Sequence, residues 1–377
     1  MNIKYCGPGL DYSGYGEANR HDIAALVAAG VDVSVELTRH CLEISEFGRL
    51  GQLVQSRANL QQPFEIKIIH TTPNIYGRYI EHGKYHIGRL IWETDKLPPD
   101  FAAGANMMDE IWTGSKACAK AIANSGVTKP VFVIPEAIDT DVPLIEPFEI
   151  DDKSGFYFYS IFEWTERKNP VALLRAFWQE FEDTEGVSLV IKTYIDNFTP
   201  DKKNELRNAI AQIKSRTDVK RFAPVHISNT LMTRKQVYKF HQSFDCFVST
   251  HRGEGWGVPQ MEAMLLGKPI ISTKFGGIHE WLHDKEDAFL VSYKMIPLIS
   301  NSRNQQWYRP DQNWADVDIA EFRKVMRFVY ENQAQAREVG QAGKSQVISK
   351  FALPEVGKIM LDRLNQIKPL DNHQTTG

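Results

Sequence analysis

Cysteine is scarce in this chain: there are four in 377 residues (Cys6, Cys41, Cys118 and Cys246), none in a paired spacing and none beside a histidine cluster. That excludes a disulfide framework, offers no zinc ligand set, and leaves reduced thiols in a cytoplasmic protein as the expectation. Long apolar runs are missing as well. No stretch reaches the roughly 18 residues that a bilayer-spanning helix needs, and Met1 to Cys6 lacks the apolar core of a secretory signal. Cytoplasmic localisation is expected, with the inner membrane face as the one peripheral option. Nor is there an excess of charge of one sign. With 44 Lys and Arg against 47 Asp and Glu the net charge is -3, which makes nucleic acid an unfavoured partner.

What is present is length and alternation. A chain of 377 residues exceeds one ordinary compact domain and predicts two. Short β-branched and aromatic runs alternate with stretches of helical periodicity, the pattern of βα units around a parallel sheet. Strands are expected at Asn2–Cys6, Val31–Leu37, Ile66–Ile69, Ile87–Trp92, Glu110–Thr113 and Val131–Ile134, with helices that include Ala18–Ala29 and Lys116–Ala123. Asp139–Lys153, with two prolines and six acidic residues, reads as a linker. A second series comes next: strands Gly155–Phe162, Val187–Tyr194, Val225–Ile227, Asp245–Ser249 and Pro269–Thr273, helices Pro170–Glu180 and Asp201–Ser215, and a helical tail interrupted at Pro354. The expected fold is α/β, two Rossmann-like domains facing a cleft. Residues 1–143 form the first, 144–350 the second, and a C-terminal helix (351–377) returns to the first.

The most informative stretch is His251-Arg252-Gly253-Glu254-Gly255-Trp256-Gly257-Val258-Pro259-Gln260-Met261-Glu262. A strand runs into a glycine-rich turn that opens a helix at Pro259, where proline suits the first turn because its missing N–H has no partner there anyway. Glycines let the backbone pass close to a ligand, and free N–H groups at a helix start attract phosphate. Glu254 lies in the turn and Glu262 one turn into the helix, so the two carboxylates can reach groups some distance apart on one ligand.

Glu254 and Glu262 in this setting, followed by Leu266-Gly267-Lys268-Pro269, resemble the paired-glutamate motif of retaining GT-B glycosyltransferases, family four in particular. The resemblance implies that Glu254 contacts the donor sugar, Glu262 the ribose, and Trp256, Gly257 and Val258 the rest of the donor. Ser13-Gly14-Tyr15-Gly16 stands where the family has a double-glycine loop at the donor phosphates, which makes Gly14 a donor-binding candidate. Phe162 to Pro170 resembles the family's arginine-and-lysine element. Lys168 aligns with the lysine, while the arginine position falls on Phe162, with Arg167 as the available substitute. His70, closing a strand, stands where the family has a histidine facing sugar and acceptor. It is a third catalytic candidate beside Glu254 and Lys168, against the plainer reading of a histidine ending a strand.

Glu93, read as ending a strand at Trp92, either meets the acceptor hydroxyl or caps the next segment of chain. Arg78 belongs to a basic and aromatic stretch, Asn74–Arg89, that would suit an acceptor lid, a phosphorylated acceptor or a membrane surface. Asp139-Thr140-Asp141 matches a metal-binding signature of a different glycosyltransferase fold, but its place in the linker argues against that role. The implied reaction is retaining, metal-independent transfer from a UDP-, GDP- or ADP-type sugar to a glycan or lipid-linked hydroxyl, with no cofactor. A non-catalytic nucleotide- or glycan-binding protein, and transfer onto nucleic acid, are the alternatives.

Overall fold

The computed structural model describes residues 2–39, 47–58, 60–142, 145–148, 155–298 and 307–367. Cys41, parts of the expected linker and the end of the tail lie outside them. The chain divides into two compact units, Met1–Thr140 together with Ser349–Gly377, and Asp141–Ile348.

The first unit runs β1 (Asn2–Gly7), α1 (Gly14–Ala28), β2 (Asp32–Leu37), α2 (Gly48–Ala58), β3 (Ile66–Ile69), β4 (Tyr85–Arg89), α3 (Pro99–Ala105), β5 (Glu110–Thr113), α4 (Lys116–Ala123) and β6 (Val131–Val133). The sheet is ordered β2-β1-β3-β4-β5-β6, and its strand pairs are parallel. All four residues of β3 are buried, as a parallel strand covered on both faces requires. The buried amine of Lys67 is accommodated there by Glu36 and Glu81, each 2.7 Å away. Strand order reverses between β1 and β3, so the carboxyl ends of those two strands flank a crevice suited to a ligand.

The second unit runs β7 (Phe156–Glu163), α5 (Pro170–Glu180), β8 (Val187–Tyr194), α6 (Pro200–Ser215), β9 (Val225–Ser228), α7 (Arg234–Ser243), β10 (Cys246–Ser249), α8 (Val258–Leu265), β11 (Ile270–Thr273), β12 (Phe289–Val291), β13 (Tyr293–Pro297), β14 (Asn313–Val317), α9 (Ile319–Glu331) and α10 (Gln333–Phe351) up to Ile348. Its parallel sheet is ordered β12-β11-β10-β7-β8-β9, and β13 and β14 form a separate antiparallel pair. Numbered within the unit, this is the 3-2-1-4-5-6 order of a doubly wound sheet, with its reversal between β7 and β10. One face is covered by α5 and α9 over Phe158, Leu189 and Ile191, a core in which Phe177, Phe322 and Met326 are fully buried.

α11 (Leu353–Asn365) belongs to the first unit and packs along α1. Pro354 stands in its first turn, so the helical tail breaks at Ala352 rather than at the proline. Gly357 permits the close crossing: a Cβ there would lie 2.1 Å from the carbonyl oxygen of Ala25.

Candidate functional site

In the second unit the reversal point brings together the ends of β7 and β10. After β7 the chain makes a 3-10 turn over Glu166–Lys168 and closes it with Asn169 in the left-handed region, φ 51°. Asparagine tolerates that conformation better than most residues, and its side chain then caps α5 by accepting from Ala172 N. After β10 the glycine-rich turn ends with Gly257 at φ 89°, from which α8 starts with a proline in its first turn. The two loops are laced together. Arg252 N donates to Arg167 O at 2.7 Å, Arg167 Nη1 donates to Gly253 O at 2.9 Å, and Thr250 Oγ1 donates to Asn169 O at 2.9 Å. Arg252 also reaches Glu166 at 2.9 Å and Asp316 at 3.1 Å.

This lacing puts Lys168 Nζ in an ion pair with Glu254 Oε2, and Arg167 Nη1 4.0 Å from Glu254 Oε1. Glu254 is 7% exposed. Burial pushes its carboxyl up, but the charges of Lys168 and then Arg167 outweigh that and hold it down at about 2. The loop is braced from below by Gly277 N, which donates to Glu254 O at 2.8 Å. Gly276, φ 92°, fits only as glycine, since a Cβ would meet Glu254 O at 2.3 Å. His251, fully buried between Ser249 Oγ (3.0 Å) and Phe275 O (2.9 Å), is pushed down to about 4 by burial. Phe162, at the position of the family arginine, is a core residue against Trp164.

Glu262 is 2% exposed and sits under an ion pair with Arg234, while its other oxygen lies 3.2 Å from His241 Nε2. His241 in turn meets Tyr159 OH at 3.0 Å. Arg234, His241 and Tyr159 escaped the sequence reading. The signal for the helix that carries two of them was available: Thr233 and Gln236 form a capping box at the start of α7. The Trp256 indole is turned inward against Trp281 and Met261, so the ring itself braces the turn. Val258 and Gly257 open α8. His279 is exposed.

On β8, Lys192 is 8% exposed, and among the described residues no charged group acts on its amine. Burial lowers its pKa, and its amine lies 5.8 Å from each of the Tyr194 and Phe198 rings. A cavity of about 290 Å³ lined in part by Gly155, Glu185, Gly186 and Arg337 lies at the other, amino-terminal end of β7 and β8.

In the first unit, Ser13 caps α1 and Gly14 is its first residue, so the expected loop is the opening of the helix. Space beside Gly14 is open, whereas a Cβ on Gly16 would meet Asp11 at 2.3 Å. His70 follows β3 and is 1% exposed, with its Nδ1 2.7 Å from Tyr5 OH. Two expectations are corrected here. β4 covers Tyr85–Arg89 and stops three residues short of Trp92, because its pairing ends at Gly88 with β3 and at Arg89 with β5. Trp92 bonds instead to Cys118 Sγ, Thr94 and Lys96, which leaves Glu93 in a loop. The Asn74–Arg89 stretch is not one continuous surface: Tyr76, His86 and Arg89 are buried, with Tyr76 OH donating to Arg89 O at 2.6 Å, while His82 is exposed. Arg78 is exposed. Asp139 pairs with Arg49. Among the described residues no group of three His, Cys, Asp or Glu side chains could hold a metal ion, and no helix is long and apolar enough to cross a membrane.

Residues 155–298 match the family model described as glycosyl transferases group 1. No curated protein matches the chain. Among solved structures, Anabaena HepE in complex with UDP-glucose superposes with a TM-score of 0.68 at 14% identity, over 97% of this chain and 100% of that one. The chain has the GT-B fold. Sucrose-phosphate synthase from Thermosynechococcus elongatus gives 0.66 at 12% identity, over 97% of this chain and 98% of that one. S. aureus TarM in complex with Fondaparinux, alpha-GlcNAc-glycerol and UDP gives 0.58 at 15%, over 80% and 55%. The GT-B class consists of two Rossmann-like α/β domains, which are the two units described above. The segment that matches the family model holds Lys168, Glu254 and Glu262 together.

Proposed function

We propose that the protein is a retaining, metal-independent glycosyltransferase of family four type that moves a sugar from a nucleoside-diphosphate sugar to an acceptor hydroxyl. The observation that carries this is the Lys168–Arg167–Glu254 constellation at the strand reversal of the second unit. A nucleoside diphosphate needs cations where the leaving charge grows, and fixed positive groups at such a point are an effective form of catalysis. Lys168, with the start of α8 at Gly257 and Val258, stabilises the departing diphosphate. Glu254, held ionised, orients the sugar and softens positive charge at its anomeric carbon, and Arg167 stands in for the arginine that Phe162 replaces. Glu262 takes the ribose diol once Arg234 yields one of its oxygens.

In the first unit, His70 and Gly14 flank the other strand reversal, His70 serving the sugar and acceptor and Gly14 the donor phosphates. The exposed Arg78 and the loop residue Glu93 are the groups left there for acceptor contact. The complexes of HepE with UDP-glucose and of TarM with UDP support a UDP-type donor among the three base classes, and the acceptor is a glycan or lipid-linked hydroxyl. The acceptor proton passes to the leaving phosphate oxygen on the same face of the sugar, so the anomeric configuration is kept. A thermal-shift panel of UDP, GDP and ADP with their sugars, with and without EDTA, tests the reading. Stabilisation by one base class that survives EDTA is expected. No shift with any nucleotide would defeat it.

A further inference from the structure

The first unit carries a buried polar chain that ends at His70. Asp22, on α1, is 1% exposed and accepts from Arg89 Nε at 3.0 Å. Arg89 is itself fully buried and anchored by the carbonyls of Ile134 (2.6 Å) and Pro135 (3.1 Å). The same Asp22 oxygen lies 2.9 Å from Tyr5 OH, and that hydroxyl lies 2.7 Å from His70 Nδ1. Asp22 Oδ2 is also 3.6 Å from Nδ1. At the far side of the ring, His70 Nε2 is buried and has no hydrogen-bond partner among the described residues.

Counting protons leaves one arrangement. An ionised Asp22 is an acceptor only, and Tyr5 has a single hydroxyl hydrogen. Were His70 Nδ1 unprotonated, that hydrogen could satisfy either Asp22 or His70, and two lone pairs would face each other across the remaining short contact. Only Nδ1–H donating to Tyr5 Oη, and Tyr5 O–H donating to Asp22, satisfies both contacts. Burial keeps the imidazole neutral against the pull of Asp22, with Arg89 acting in the same sense as burial, and Arg89 holds Asp22 ionised against the opposing effect of burial.

We propose that Arg89, Asp22 and Tyr5 lock His70 in its Nδ1–H tautomer, so that Nε2 offers a lone pair to a hydroxyl of the sugar substrate and Tyr5 and Asp22 act as positioning residues. The proposal rests on the glycosyl-transfer reading only for the identity of the hydroxyl. A ring of the opposite tautomer would present an N–H and favour a carbonyl or phosphate oxygen instead. Tyr15, in the first turn of α1, lies with its ring 5.5 Å from His70.

The test is ¹⁵N NMR of the full chain with labelled histidine, His70 being assigned by comparison with His70→Gln. In the free protein near neutral pH, a protonated Nδ1 and a bare Nε2 are expected. An Nε2–H tautomer or an imidazolium would overturn the lock and leave glycosyl transfer standing. Tyr5→Phe should release Nε2–H population and lower turnover about 10- to 100-fold with little change in donor KM. An unchanged tautomer in that variant removes Tyr5 from the role.

UDP and UDP-glucose are then compared, with glucose alone at high concentration as a second probe. A shift of the Nε2 resonance with UDP-glucose but not UDP assigns the hydroxyl to the donor sugar, and one with glucose alone assigns it to an acceptor. No shift with either sugar probe would overturn the hydroxyl contact. Failure of every nucleotide to bind while the tautomer holds would count against the donor reading and not against the lock.

Discussion

Replacing Glu254 by glutamine keeps the shape of the side chain and removes the charge around which Lys168 and Arg167 are arranged. The size of the effect comes from proton linkage. The folded carboxyl is held at about 2 against an ordinary value of 4.5. Between those values the unfolded chain binds more protons than the folded one, so the contribution is complete above pH 4.5 and is lost as the pH falls toward 2. At about 1.4 kcal/mol per pH unit the gap corresponds to about 3 kcal/mol. Glu254→Gln should therefore lower the unfolding free energy at pH 7 by about 2–3 kcal/mol, because the buried carboxylate and its ion pair with the half-buried Lys168 are lost. Urea unfolding of the full chain at pH 7 and again at pH 3.5 would measure it, and the difference between variant and wild type should shrink at the lower pH. Adding Lys168→Met should restore part of the loss, since the half-buried amine that faced Glu254 then goes too. A single variant within about 0.5 kcal/mol of wild type at pH 7 would mean that the Glu254 charge does not stabilise the fold.

Other outcomes arise from the packing and the buried groups. Gly357→Ala drives a methyl into the Ala25 carbonyl at 2.1 Å, so it should cost about 1–3 kcal/mol in urea unfolding, while Gly14→Ala, beside open space, should cost much less. Lys192→Met removes a desolvated amine with no ion pair among the described residues, and should raise stability by about 1 kcal/mol. If the same variant also weakens nucleotide stabilisation in the thermal-shift panel, Lys192 belongs to the donor site. His251, held at about 4 by burial, is protonated in the unfolded chain before the folded one. Stability should accordingly begin to fall as pH drops below about 6.5 and continue to about 4, and His251→Gln should flatten that limb of the pH profile.

Much of the second unit was legible because its strands are buried on both faces and its helices start at clear signals. Val187–Tyr194 and Pro170–Glu180 coincide with β8 and α5, the first as an almost continuous branched run and the second opened by Asn169-Pro170. The glycine-rich turn was legible for the same reason: φ 89° at Gly257 and the Glu254 carbonyl against Gly276 demand glycine. The ion pairs across the turn were not. Arg234 and Glu262 lie 28 residues apart in sequence, and nothing in either segment announces the other. The same holds for Tyr5, Asp22, His70 and Arg89, four residues on separate elements that meet only because the sheet order places β1 between β2 and β3. Ile87–Trp92 misled as a strand because its apolar run continues past the point where pairing stops. Tyr76, His86 and Arg89 misled because polar residues in a cluster look exposed until their partners are known.

The central claim is best tested by release of nucleoside diphosphate. The purified chain would be incubated with UDP-, GDP- and ADP-sugars, with and without EDTA and without added acceptor, beside Lys168→Ala and Glu254→Gln. The account predicts slow release from one base class, unaffected by EDTA and lowered about 100- to 1,000-fold in both variants. Release from none of the donors, release that needs a divalent metal, or near-wild-type release by Lys168→Ala would contradict it.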